Sequence, residues 1–448
     1  MKIPSPDVAV IGAGPVGCVT AIAFANKGAR VLLLEAHSHL TKRLAGEWLH
    51  PLGLQILKRL GVDLTKEALG YPSGLGFIVF PDDSTRPIKL NYPKSAVGLS
   101  CEHGKLVSML REAVASHSNI HFITDARVTH IEGQELSFDL VKQKRTQTVL
   151  AEKIVAADGR HSVARKTLGI PNDHQIISYT AGILLLEVKL PFEGFGHVFL
   201  GGPGPALAYR IGHDQVRVFL DVPINFHKKP SYLWDAYSPV LPKVLLPALR
   251  QALENYPVIW VANQFSSRLY YGRDGLAMVG DTTGQFHPLT AIGMTVGFMD
   301  AECLVGSRSF QNYQSDRIFR TYVPEILATT LHQVFTRDND STIAIRKAIY
   351  QMWRQDPAEC VRTMHLLSGT QTNIMQFSKS FFKAVVIALL YIFKENAYKG
   401  KWLHLAKVLG SFGNWLQIPS AIIFSRVRKA AENYLKFQIF QFDRSSNS

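Results

Sequence analysis

Residues 7–17 read DVAVIGAGPVG and constrain the fold more than any other stretch of this chain. A short apolar strand runs into glycines at Gly12, Gly14 and Gly17, the spacing GxGxxG. Each glycine has a separate physical task. The first allows a tight turn, the second lets backbone approach a pyrophosphate, and the third lets helix and strand pack closely. A helix is predicted through residues 20–26, ending near Gly28, which can cap it in a left-handed conformation. A second strand is predicted over residues 29–34 and ends in Glu35, a carboxylate placed to accept hydrogen bonds from a ribose diol. A glycine-rich turn in an unrelated α/β fold would lack that ordered strand, helix and terminal acid. The motif alone does not separate NAD from FAD.

The chain has 448 residues, enough for two or three domains with their own cores. Apolar residues make up 47% and charged residues 19%, which excludes a disordered chain. Cys18, Cys101, Cys303 and Cys360 form no CxxC pair, so they read as buried or half-buried thiols in a reducing compartment rather than a metal cage. The apolar run 8–11 passes directly into the glycine motif, and is expected to be a strand rather than an export signal. Net charge is +14, and residues 394–448 hold nine Lys or Arg against three acids, a local balance of +6. That tail is also rich in Phe, Trp, Leu and Ile, a combination that fits an anionic membrane surface. No nucleic-acid partner is expected, because no helix-turn-helix, zinc-finger or RNA-recognition pattern is present.

Two later segments narrow the cofactor. Residues 153–165, KIVAADGRHSVAR, form a strand ending in Asp158 and Gly159; residues 276–281, LAMVGD, form another ending in Gly280 and Asp281. These resemble the DG and GD motifs of single-component FAD monooxygenases. The resemblance sharpens in segment 280–296, GDTTGQFHPLTAIGMTV, which is similar to the flavin segment of squalene monooxygenases (squalene epoxidases). Segments 43–51, RLAGEWLHP, 57–61, LKRLG, and 103–111, HGKLVSMLR, resemble the same family. Segments 339–348, NDSTIAIRKA, and 357–361, PAECV, fit its helical C-terminal region less specifically. The likeness is good in the flavin motifs and thin between residues 170 and 273.

The resemblance implies FAD as cofactor and places its contacts. Pro15 and Val16 would lie at the glycine turn, Glu35 and Ala36 at the ribose, and Arg43 and Arg111 near the phosphates and the flavin. Arg127, near the end of the next strand, would contribute its backbone. Asp158 belongs to the DG motif, Asp281 would take the ribitol, and Met294 marks the start of the flavin-side helix, whose positive end can stabilise negative charge. Family enzymes carry a glutamine where this chain has His50 and a tyrosine where it has Phe77; in the family the two lie beside the flavin and can hydrogen-bond each other. Phe77 cannot donate, so His50 must find another partner or face the substrate. His50, Phe77 and Pro288 are the expected substrate-side residues.

The expected fold class is α/β, a Rossmann-type FAD-binding domain with a β-sheet substrate domain and a C-terminal helical membrane-associated region. FAD-binding parts are expected at 1–75, 101–172 and 273–312, substrate-domain strands at 76–100 and 173–272, and helices at 313–448. Strands over 182–188, 197–200, 206–211 and 215–222 point to a mostly antiparallel sheet roofing an apolar cavity. Residues 380–393 are strongly apolar but span about 14 positions, short of the roughly 20 needed to cross a bilayer. Residues 403–424 are longer but interrupted by Lys407, Gly410, Gly413, Asn414 and Pro419. Both read as monotopic helices, with a transmembrane hairpin as the alternative and the catalytic domain on the cytoplasmic side.

By resemblance, reduced FAD activates O2 as a C4a-hydroperoxide and transfers one oxygen to a C=C bond of an apolar, terpenoid-type substrate. No catalytic side chain is named, since the β-rich region shows no His, Asp or Glu constellation along the sequence. Electrons would come from a separate NAD(P)H-dependent reductase or directly from NAD(P)H. An isoprenoid double-bond reductase and an aromatic hydroxylase are the rival enzymes. Flavin halogenation is disfavoured by the missing WxWxIP motif, and a non-enzymatic membrane scaffold is the remaining alternative.

Overall fold

Strand Val8–Ile11 lies at the centre of a six-stranded sheet, and everything near the glycine turn follows from that position. It pairs in parallel with Val31–Leu34 on one side and with Lys153–Ala156 on the other. Ile120–Ile123 extends the sheet beyond Val31–Leu34; Leu276–Met278 and Gly272–Arg273 extend it beyond Lys153–Ala156. Its central strands are buried apolar runs, as a parallel sheet covered on both faces requires. Gly12, Glu35, Asp158 and Asp281 all stand just past the carboxyl ends of its parallel strands, the edge where such sheets bind ligands. The computed structural model describes residues 5–40, 44, 46–64, 73–170, 175–226 and 228–398, with Gly410 and Phe424.

A second sheet of seven strands holds the other half of the molecule. Its order is Ile259–Phe265, Gln175–Leu186, Gln215–Pro223, Ala206–Arg210, Phe195–Phe199, Gly76–Phe80, Ile88–Asn91. All neighbours are antiparallel except Phe195–Phe199 with Gly76–Phe80, which run in parallel. A small three-stranded sheet formed by Ala126–Glu132, Glu135–Leu140 and Arg145–Leu150 packs against the Rossmann side.

Several boundaries differ from the sequence expectation. The second Rossmann strand begins at Val31, not at residue 29. Arg127 is the second residue of Ala126–Glu132 rather than near the end of a strand, because the chain turns at Asp125, whose φ is 54°. Helices Pro230–Tyr237 and Leu246–Asn255 interrupt the β-rich segment and cover one face of the large sheet, burying Leu233, Leu245 and Leu249. The strand-length periodicity did not reveal them because each is short and follows a proline-containing start.

The described residues from 313 to 398 are largely helical. Ile374–Tyr398 is a single helix of 25 residues, longer than its apolar run of 380–393. Its Ile374–Lys394 stretch, 21 residues, is long and apolar enough to cross a bilayer by length and composition. Yet Phe377, Ala388 and Ile392 are buried in the helical core containing Ala344, Ala348 and Trp353. Of the segment 403–424, only Gly410 and Phe424 are among the described residues.

Gly17 shows how little freedom the first turn leaves. A Cβ built there would sit 1.7 Å from the carbonyl oxygen of Gly12. Gly17→Ala is therefore expected to cost about 4 kcal/mol or more, because only backbone movement relieves the clash. Chemical denaturation of the purified variant measures it; a loss under about 1 kcal/mol would mean that helix and strand are not packed this closely.

Candidate functional site

The first glycine turn meets the DG and GD loops in one cavity of about 800 Å³. Gly12 adopts φ 94°, and a Cβ there would meet the Ala157 carbonyl at 2.7 Å. Gly14 is different, since a Cβ there would meet nothing within 4 Å. It lines the cavity as the N-cap of helix Pro15–Ala25, and no side chain caps that helix. The free N–H groups and the open backbone surface form a cradle for an anionic group.

Glu35 accepts from the Ala13 N–H at 2.8 Å and pairs with Arg111 Nη2 at 3.3 Å. Arg111 Nε donates to the Ala13 carbonyl at 3.0 Å. The acid, the arginine and the glycine turn are thus one unit, with Ala36 and Arg127 on the same cavity wall. Across the cavity, Asp158 accepts from the Val163 N–H at 2.8 Å and from Thr282 Oγ1 at 3.3 Å. The Gly159 N–H donates back to Thr282 Oγ1 at 3.0 Å. The DG and GD loops therefore clasp each other. Burial holds the Asp158 carboxyl above its ordinary value. Asp281 lines the cavity, is exposed, and has no hydrogen-bond partner among the described residues.

The structure brings together Gly12, Gly14, Pro15, Val16, Glu35 and Ala36 with Arg111, Arg127, Asp158, Asp281, Met294 and Pro288 as cavity wall. Gly17 lies behind it as a packing position. Arg43 falls outside the described residues. His50 and Phe77 do not reach the cavity surface. They stand one layer behind Trp48, whose ring centroid is 5.0 Å from that of Phe77.

His50 finds its hydrogen-bond partners away from Phe77, which cannot donate. Trp48 Nε1 donates to Tyr92 Oη at 3.0 Å, and Tyr92 Oη contacts His50 Nδ1 at 2.7 Å. His50 Nε2 contacts the Thr290 carbonyl at 2.9 Å. A carbonyl can only accept, so Nε2 carries the proton, Nδ1 is the acceptor and Tyr92 donates. The chain of bonds links the cavity-lining Trp48 to the turn Pro288–Thr290 on the opposite wall.

Two further groups escaped the sequence reading. Glu47 is fully buried, receives Arg217 Nη2 at 2.9 Å and Nε at 3.0 Å, and receives Tyr209 Oη at 3.3 Å. The second group draws only Asp221 from the β-rich region, with His287 and His332 coming from outside it. Asp221 lies on strand Gln215–Pro223, its Oδ1 3.2 Å from His287 Nε2 and its Oδ2 3.0 Å from His332 Nε2. Their separations along the chain, 66 and 111 residues, hide them from any local motif. The wall between these groups is apolar, with Leu207, Phe219, Val261 and Leu289.

The model of the squalene epoxidase family matches residues 150–406, and that of an NAD(P)-binding Rossmann-like domain matches residues 10–65. A squalene monooxygenase of Mus musculus is 26% identical over 94% of this chain and 77% of its own length. A squalene epoxidase of Aspergillus fumigatus is 28% identical over 88% of each chain. Among solved structures, the flavin-dependent brominase Bmp2 superposes with a TM-score of 0.67 at 18% identity, covering 88% of this chain and 99% of its own. A p-nitrophenol 4-monooxygenase of Pseudomonas putida gives 0.63 at 16% identity, covering 82% and 98%. These two show the same fold.

Burial pushes the His50 imidazole down from 6.5 to about 4. The unfolded chain therefore takes up a proton at this site as pH falls through 6.5, while the folded chain does not until about 4. Stability contributed by neutral His50 is full above pH 6.5 and is lost across that window, up to about 3 kcal/mol. His50→Gln should flatten that part of the pH dependence of the unfolding midpoint. An unchanged slope would show that His50 is not the group responsible.

Proposed function

This chain belongs to the squalene epoxidase family, and on that premise we propose that it is an FAD-dependent monooxygenase that adds one O2-derived oxygen to a C=C bond of an apolar, terpenoid-type substrate. The observation that carries the reading is the single cavity, where a phosphate cradle and two acid-bearing loops open into an apolar chamber under the seven-stranded sheet.

The residues present fit FAD. Gly14 and the uncapped start of Pro15–Ala25 would hold the pyrophosphate, Glu35 the ribose, and Asp281 the ribitol hydroxyls, all three facing the same cavity. Gly293 and Met294, at the start of the following helix, line the same cavity, where the helix N-terminus would favour negative charge on a bound flavin. When bound, FAD supplies two-electron chemistry and activation of O2. The chain's own contribution is position and exclusion of water. Trp48, Leu207, Phe219 and Leu289 surround an alkene with apolar surface, and Glu47 is neutralised by Arg217, so no unpaired charge competes for water there.

The electron donor is either NAD(P)H or an NAD(P)H-dependent reductase, and the substrate enters from a membrane. Helix Ile374–Tyr398 supports the membrane contact. Opposite its buried face, Met375, Phe382, Val386, Leu390 and Phe393 are each more than half exposed and follow helical spacing. A helix held to the protein on one side and apolar on the other fits one that lies in a single leaflet.

The decisive experiment is turnover under 18O2 with a lipid extract, read by mass spectrometry. A product heavier by one 18O atom is expected; a product heavier only by two hydrogens would make the enzyme a double-bond reductase. A second test addresses the helix. Phe382→Glu with Leu390→Glu should lower binding to anionic vesicles roughly tenfold or more, because both residues lie outside the buried face. Undiminished vesicle binding would remove this helix as the anchor.

A further inference from the structure

Asp221, His287 and His332 have the composition and the spacing of a metal centre, with ligand atoms within 4.8 Å of one another. The hydrogen bonding gives them a different task. The Leu289 N–H donates to His287 Nδ1 at 3.2 Å, so Nδ1 is the acceptor nitrogen and Nε2 carries the hydrogen. A ligating Nε2 would need the opposite tautomer, setting an N–H against the Leu289 N–H. Asp221 is also fully supplied with donors. Ser178 Oγ and Asn263 Nδ2 donate to Oδ1 beside His287, and His332 donates to Oδ2. Tyr237 Oη donates to the Asp221 carbonyl. Burial raises the Asp221 carboxyl, but His287 and His332 beside it hold it well below its usual range.

The three residues come from three bodies. Asp221 belongs to the substrate sheet, His287 opens the cofactor-side turn Pro288–Thr290, and His332 lies on helix Tyr322–Thr336. The His287 and His332 rings lie with centroids 4.1 Å apart, their planes tilted by 34°. His287 caps the turn through Leu289, Ala291 follows at φ 52°, and the helix bearing Met294 starts two residues later. Asp221 and His287 line the cavity, whereas His332 stands behind its wall.

We propose that the Asp221–His287–His332 cluster is the joint that fixes the cofactor-side turn against the substrate sheet, with His332 as a positioning residue for oxygen transfer. The proposal rests on the monooxygenase reading. That reaction converts alkene, O2, two electrons from a nicotinamide donor and two protons into epoxide and water. One oxygen forms two C–O bonds as the C=C π bond and the O–O bond break, and the other oxygen leaves as water. If the turn shifts by a fraction of an ångström, the distance between the oxygen and the alkene grows. Reductant would still be consumed, and the oxygen would leave as hydrogen peroxide.

The test compares His332→Phe, which keeps the ring packing and loses the hydrogen bond, with His332→Gln, which keeps a donor within reach of Asp221. Both are purified with FAD and assayed well below their unfolding midpoints. For His332→Phe, product formed per donor oxidised should fall at least fivefold with a matching rise in hydrogen peroxide. The visible circular dichroism of the bound flavin should change as well. His332→Gln should restore both readouts to within twofold of the parent. Unchanged coupling and unchanged dichroism in His332→Phe would overturn the joint. So would one tightly held metal ion per chain that His332→Phe loses. If the parent enzyme itself incorporates no 18O, the monooxygenase reading fails, and the dichroism comparison still decides the joint.

Discussion

The Asp300 carboxylate is the charge around which the two halves of the molecule are fastened. It is fully buried and receives the Arg268 and Arg317 guanidinium groups together with the Gly280 N–H. Arg268 follows the last strand of the substrate sheet, Gly280 begins the GD loop, and Arg317 lies on helix Phe310–Arg320. Glu325, also buried, accepts from Ser267 Oγ and from the Arg268 N–H. Removing one member of such a group leaves an uncompensated buried charge, which typically costs 3–5 kcal/mol. The cavity therefore keeps its shape through ionic contacts at its back, while its front is left free for ligands.

That arrangement explains why the loops can be built from small residues. Gly12, Gly159 and Gly280 adopt positive φ, and with Gly14 they contribute no side-chain packing of their own. Their positions are set from behind by Asp158 with Thr282, by Glu35 with Arg111, and by Asp300. Each loop presents backbone to the cavity and delegates its rigidity to a side chain elsewhere.

The sequence disclosed what covalent neighbourhood controls. The glycine turn, the acid closing the second strand, and the DG and GD motifs each fit within a short window, and the structure assembles them at one sheet edge. It concealed what only tertiary packing creates. Phe77 cannot donate, so His50 was expected to need another partner, but nothing near His50 pointed to Tyr92, 42 residues on. Asp221 looked like one polar residue in a β strand until His287 and His332 arrived from distant segments. The length of helix Ile374–Tyr398 was hidden for another reason. Its apolar stripe was read as the whole element, whereas Met375, Gln376 and Lys379 continue the helix with polar and mixed residues.

The strand order has a consequence for how this protein is made. The central strand Val8–Ile11 leaves the ribosome before the other described strands, yet one of its two neighbours, Lys153–Ala156, follows well over a hundred residues later, and Leu276–Met278 later still. The parallel pair of Gly76–Phe80 and Phe195–Phe199 imposes the same wait on the second sheet. Neither sheet can close during the first half of synthesis, so apolar strands stay unpaired while the chain is still tethered, a state prone to misassembly. Helix Ile374–Tyr398 follows all of these strands in the chain. The two sheets can thus complete their pairing before that helix packs against the helical core.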